Sequence, residues 1–245
     1  MNYRLEDRIG EIYYSSLQEG DICREPAVNV YYNSQSLPPF SFQQLKGQRV
    51  EKNAITLASS LEKIVPHLIN NYSPLFTDLD DILKEVFCKR TFIEDRKSFR
   101  ETYGRGTYSV AGYFNNKPRK SSSAGSHIKN SGSQKEFTLT ILHEYGHEFL
   151  YRSCEHDLTR NNYRDYDEVM HEVFAILTGR QFKRSLYDTN PHRKARSLIR
   201  KLEKINLFNS QQFSQKWREL LPFTDHRQLA EYIKILRRPL GITFK

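Results

Sequence analysis

Apolar positions change rhythm several times in the first half of the chain and settle into one rhythm in the second. Arg4–Gln18 carries them at helical spacing, Ala27–Tyr32 (AVNVYY) at the spacing of a strand, and SLPPF then breaks the chain. Helical spacing returns in Ile55–Ile69, where Pro66 is expected to kink or end the helix, and again over Asp78–Phe87. The aromatic and β-branched run Gly106–Phe114 (GTYSVAGYF) predicts a strand or short hairpin. The following NNKPRKSSSAGSHIKNSGSQK has no core-forming pattern and predicts a surface loop. Beyond it only helical patterns occur: around Thr138–Leu150, about Tyr166–Phe182, and near Arg193–Ile205, Ser210–Leu221 and Arg227–Arg237. Strands and helices first, helices alone afterwards, predict an α+β fold without internal repeats. Three parts are expected: an N-terminal α/β region over 1–100, a core over 101–182 and a basic helical region over 183–245.

The most informative stretch is TLTILHEYGHEFL, Thr138–Leu150. Residues four apart lie on the same helix face, so His143 and His147 can converge on one ion. Leu139, Leu142, Gly146 and Leu150 continue that side and turn the histidines inward. Gly146 leaves room for another backbone to come close. Neutral imidazoles suit zinc, and two of them leave positions for a third protein ligand and a water. Glu144, rotated about 100° from His143, points to the open side of such a site. There it can accept a proton from water, as a metal-assisted hydrolase requires. The alternative for the same residues is a pair of core histidines bonded to backbone.

A third ligand must come from elsewhere. The position six residues after His147 is Ser153, which excludes the metzincin pattern. Asp167–Gly179 (DEVMHEVFAILTG) reads as a helix with Val169, Val173 and Ile176 on one face. Glu172 adjoins its apolar run, and a carboxylate there must be paired or bind metal. Glu172 is the expected ligand, with Glu168 and His156 as alternatives and Glu168 also a possible partner orienting a histidine.

HEYGH followed by HEVFA resembles the gluzincin zinc metallopeptidases, in particular the anthrax lethal factor catalytic domain family, over about residues 106–181. The Phe174–Ala175 pair is also similar to compact H-E-x-x-H domains of bacterial stress and mobile-element regulators. The resemblance implies a zincin-like fold with an active-site helix, a third-ligand helix and an edge strand. It implies one Zn2+ per chain held by His143, His147 and Glu172, with Glu144 as general base. It further implies a tyrosine that stabilises the oxyanion, for which Tyr166 and then Tyr163 are the nearest matches; His171 is a further candidate donor. The edge strand, through Val110, Gly112 and Tyr113, would align a peptide substrate by backbone hydrogen bonds. The Ser/Gly-rich loop beside it would serve as a lid.

Charge adds a competing reading. The chain has a net charge of +9, yet residues 181–245 hold 15 Lys+Arg against 5 Asp+Glu, leaving the rest balanced at 23 against 24. This asymmetry suits nucleic acid or an acidic surface, met mainly through Asn190–Ile205, or a solvated set of helix faces. In that alternative the zinc site is structural or vestigial. The three cysteines, Cys23, Cys88 and Cys154, are isolated, which argues against a disulfide framework. No apolar run reaches spanning length and the first residues lack a signal-peptide core, so a reducing, cytoplasmic compartment is expected. A translocated toxin would look the same.

Overall fold

The computed structural model describes residues 12–14, 26–28, 31–32, 35–36, 40–41, 60, 63–94, 99, 111–117, 124–129, 133–179, 189–205 and 212–237. Among them the architecture is mixed α+β and mostly helical. The chain divides into two units, residues 1–70 with 78–141 and residues 71–77 with 142–245. All the described strands belong to the first.

In that unit, strand β1 (Ile12–Tyr14), β2 (Pro26–Val28) and β5 (Phe40–Ser41) form an antiparallel sheet in the order β1-β2-β5. Strands β3 (Tyr31–Tyr32) and β4 (Gln35–Ser36) pair separately. Where a helix was expected over Arg4–Gln18, the described residues form a strand: Ile12, Tyr13 and Tyr14, good strand formers, pair with Val28, Ala27 and Pro26, and the rest of that span lies outside the described residues. The single strand expected over Ala27–Tyr32 is two, in different sheets. Residues 63–72 are helical straight through Pro66, so Pro66 does not end the helix. Burial of Ile64, Val65, Leu68 and Tyr72 offsets what the ring costs the backbone ladder. Helix α1 (Leu79–Lys89) follows, with Asp80 and Asp81 in its first turn and Leu79, Ile82, Leu83, Val86 and Phe87 buried.

The remaining sheet corrects the expected surface loop. Strand β8 (Gly125–Lys129) lies inside that segment and is the middle strand of a three-stranded sheet. It runs parallel to β6 (Thr91–Glu94) and antiparallel to β7 (Gly112–Asn115). Its five residues are all buried although only Ile128 is aliphatic. Backbone pairing on both sides satisfies the ladder, His127 stacks on Phe92 at 4.6 Å, and the Lys129 ammonium lies 5.6 Å from the Phe99 ring centre. Gly125 sits at φ +135, and a Cβ there would collide with the Arg90 carbonyl. Residues 125–129 are thus part of a sheet rather than of a lid, as is Asn115, while 118–123 and 130–132 of the expected lid lie outside the described residues.

The second unit is built from helices. Helix α2 (Gln134–Glu155) opens on a reciprocal cap, with the Glu136 carboxylate accepting from the Ser133 N–H and the Ser133 hydroxyl from the Glu136 N–H. The boundary between the units falls within it, after Ile141. Helices α3 (Glu168–Gly179), α4 (Asn190–Lys204), α5 (Phe213–Leu220) and α6 (His226–Arg237) follow. An aromatic core joins α2, α3 and α5: Tyr72 stacks on Phe149 at 3.8 Å, and Trp217 meets Tyr72 and Phe174 edge-on at 5.1 and 4.7 Å. Its polar rims are bonded. The Trp217 indole donates to Ser153 Oγ at 2.9 Å, Ser153 in turn donates to the Phe149 carbonyl, and the Tyr72 hydroxyl lies 2.7 Å from Thr178 Oγ1. Ser153, where a metzincin would carry a histidine, is a core linker.

Candidate metal centre

The centre lies entirely in the second unit and is assembled by one close helix contact. A Cβ on Gly146 would fall 2.5 Å from the Ala175 Cα and 2.9 Å from Thr178 Oγ1. Only glycine lets α3 press onto α2 at this point. The backbone that approaches Gly146 is therefore the helix carrying Glu172. On α3 nearly every side is buried, Glu172 included.

Glu172 lies among three imidazoles. Its Oε2 is 3.2 Å from His143 Nε2 and 2.8 Å from His192 Nε2, while its Oε1 is 3.9 Å from His147 Nε2. One ligating atom each from His143, Glu172 and His192 all fall within 4.8 Å of one another. Glu172 is 9% exposed, yet its Oε2 accepts no aligned hydrogen bond. A buried carboxylate oxygen facing ring nitrogens without a directed hydrogen bond could take a cation as its partner. Burial alone would push the Glu172 carboxyl up, but the nearby nitrogens of His143 and His192 more than offset this and hold it below the usual carboxylate range. Burial pushes His147 down to about 3, against the opposing pull of Glu172. It is held neutral, the form that can donate a lone pair to a metal.

The other expected residues separate. Glu144, on the same turn of α2 as the histidines, is buried, at 3% exposure. Its charge is felt at Tyr163: burial pushes that hydroxyl well up, and Glu144, Glu148 and Glu172 push it further, in that order. Tyr163, in a short 3-10 turn (Tyr163–Asp165), also meets the His171 ring edge-on at 4.4 Å. His171 is half-buried and 6.1 Å from His147, ring to ring. Tyr166 is committed elsewhere, its hydroxyl donating to the Leu221 carbonyl at 2.5 Å. Glu168 is exposed at the start of α3, and the exposed His156 packs edge-on against Phe76. Gly112 and Tyr113 lie in β7, at an edge of the sheet in the first unit, and Val110 is outside the described residues.

His192 is the residue that sequence reasoning did not single out. It sits in the first turn of α4, with Thr189 at the N-cap and the Thr189 hydroxyl 2.6 Å from its Nδ1. The signal was present: His192 heads the buried stripe that continues through Ala195, Ile199 and Leu202. An ionisable residue on an apolar stripe needs a partner, and the segment's basic residues hid it.

A second grouping of possible ligands is formed by Asp167, Asp225 and His226. The described helices include none long and apolar enough to cross a membrane. Compared with family models, characterised proteins and solved structures, the chain matches none.

Proposed function

We propose that the protein is a zinc-dependent endopeptidase of gluzincin type, with a zincin-like arrangement of α2 and α3 around one ion. The observation that carries the reading is the buried Glu172 carboxylate, 3.2 and 3.9 Å from the two histidines of the H-E-x-x-H turn on α2. His143, His147 and Glu172 would hold the ion. When bound, it supplies the Lewis acidity that polarises a peptide carbonyl and acidifies water. Glu144 accepts the proton of the attacking water and passes it to the leaving amine. Tyr163, high in pKa and therefore protonated, donates to the carbonyl oxygen as negative charge develops there. Tyr166 is the weaker candidate, because its hydroxyl is already spent on Leu221. Burial of Glu144 and Glu172 keeps bulk water from competing.

The test is a mixture of unstructured peptides incubated with zinc-loaded protein, with new amino termini read by mass spectrometry. Cleavage that a chelator abolishes, and that Glu144→Gln lowers by about 10²–10⁴-fold at unchanged zinc content, is the expected result. Cleavage indifferent to Glu144, or zinc-loaded protein that cleaves nothing both as wild type and as His192→Ala, would contradict it.

One observation favours a second reading. Arg193, Arg200 and Lys204 are exposed on α4 at seven- and four-residue steps, so they share a face of the helix that also brings His192 to the centre. A structural zinc site in a protein that grips nucleic acid would use both features. Retained binding of a DNA duplex, steeply weakened by salt and by Arg200→Ala, with no peptide cleavage would favour this second reading.

A further inference from the structure

We infer that His192 is a fourth protein ligand of the metal centre, so that the centre is coordinatively closed in the conformation described. The inference rests on the reading of His143, His147 and Glu172 as a zinc site. Its own basis is the position of one imidazole. His192 Nε2 is the nitrogen closest to the buried carboxylate, at 2.8 Å from Glu172 Oε2, nearer than either histidine of α2. Atoms sharing one tetrahedral zinc at 2.0–2.1 Å stand roughly 3.4 Å apart, so this nitrogen lies inside the ligand set. The ring is parallel to that of His143 within 22°, centroids 5.4 Å apart, so the two imidazoles face the carboxylate side by side.

The other ring nitrogen supports the same assignment. Histidines that bind metal nearly always fix their tautomer by donating the second N–H to an oxygen. Thr189 Oγ1, 2.6 Å from Nδ1, is placed to accept that N–H, in the tautomer that leaves Nε2 with the lone pair. A simple ion pair between His192 and Glu172 would require an N–H aimed at the carboxylate. Oε2, buried, accepts no aligned hydrogen bond from either neighbour. Location in the first turn of α4, after the Thr189 cap and Pro191, ties the ligand to a helix end rather than to a helix middle.

A closed centre changes what the protein can do. With four protein ligands the ion has no vacant position for water, so peptide hydrolysis requires His192 to yield its place. The centre is then latent, and α4, with its basic exposed face, is the element whose displacement opens it.

The experiment counts ligands directly. Wild type, His192→Ala and Thr189→Val are each loaded with one equivalent of zinc, and zinc-edge X-ray absorption reports the number of bound imidazoles. Chelator competition gives the affinity of each. Three imidazoles in the wild type and two in His192→Ala, with affinity lower by at least about 100-fold in His192→Ala and about 10-fold in Thr189→Val, is the expected result. Two imidazoles in the wild type overturns the inference while leaving the zinc site standing, and this holds even where the variants fail to fold. Unchanged affinity in a folded His192→Ala overturns it as well. A wild type that binds no zinc removes the site itself, and the inference with it.

Discussion

Two clusters of histidine and carboxylate lie in the second unit, and they differ in what their polar atoms already do. Around Glu172 the side chains are about nine-tenths buried, and Oε2 has no aligned hydrogen bond. Around Asp167 they are a quarter to nearly half exposed, and both Asp167 oxygens, Asp225 Oδ1 and His226 Nδ1 already have partners. Asp167 Oδ1 caps α3 by accepting from the Met170 N–H at 2.8 Å, and its Oδ2 accepts from the His226 N–H at 3.0 Å and lies 2.5 Å from His226 Nδ1. Asp225 Oδ1 accepts from the Arg227 N–H. The residue types are the same, and the spacing suits a metal in both. The difference teaches that a candidate metal centre is recognised by unmet demand under burial, whereas a satisfied cluster at two helix starts is a clamp.

The comparison can be broken most severely at Glu172. Glu172→Ala is expected to lower zinc affinity by more than about 100-fold, beyond the cost of losing an outer partner, while loss of Asp167 leaves affinity unchanged. Chelator competition measures both. Next in size is Gly146→Ala. The added methyl meets the Ala175 backbone at 2.5 Å and forces α3 away. A loss of about 1–3 kcal/mol in denaturant unfolding and a fall in zinc affinity are expected together.

The clamp side carries smaller effects. Asp167→Ala should cost about 0.5–2 kcal/mol, the value of a helix cap, at unchanged zinc content. Its pH dependence has a definite sign. Burial raises the Asp167 carboxyl, but the His226 and Met170 contacts outweigh this and hold it below the ordinary aspartate value. The folded state therefore binds its proton less readily, so the contribution is fully present above about pH 3.9 and is lost as pH falls below that. In Asp167→Asn that part of the acid limb should vanish from a stability-against-pH curve. Smallest is Tyr166→Phe, which removes one bond to the Leu221 carbonyl and should cost about 1 kcal/mol without altering zinc binding or cleavage.

What was legible in the sequence was whatever obeys a local period. The convergence of His143, His147 and Glu172 was legible because two of them share a helix face and the third adjoins an apolar run that makes an unpaired charge costly. The helices after residue 133 were legible for the same reason, to within a few residues at their ends. Strand β8 was not, because its buried side chains Ser126, His127 and Lys129 are polar and give no apolar period, so the segment read as a loop. The strand at Ile12–Tyr14 was misread because a three-residue strand has no period to detect. His192 was missed since it reaches Glu172 from a third helix, and only the folded chain brings α3 and α4 together.

The central claim is that the Glu172 cluster holds a metal and the Asp167 cluster does not. Elemental analysis after zinc loading and desalting tests it most directly, on wild type, Glu172→Ala and an Asp167→Ala/Asp225→Ala double variant prepared together. One zinc per chain in the wild type and in the double variant, and none retained by Glu172→Ala, is the predicted result. A wild type without zinc, or zinc lost from the double variant and kept by Glu172→Ala, would contradict the account.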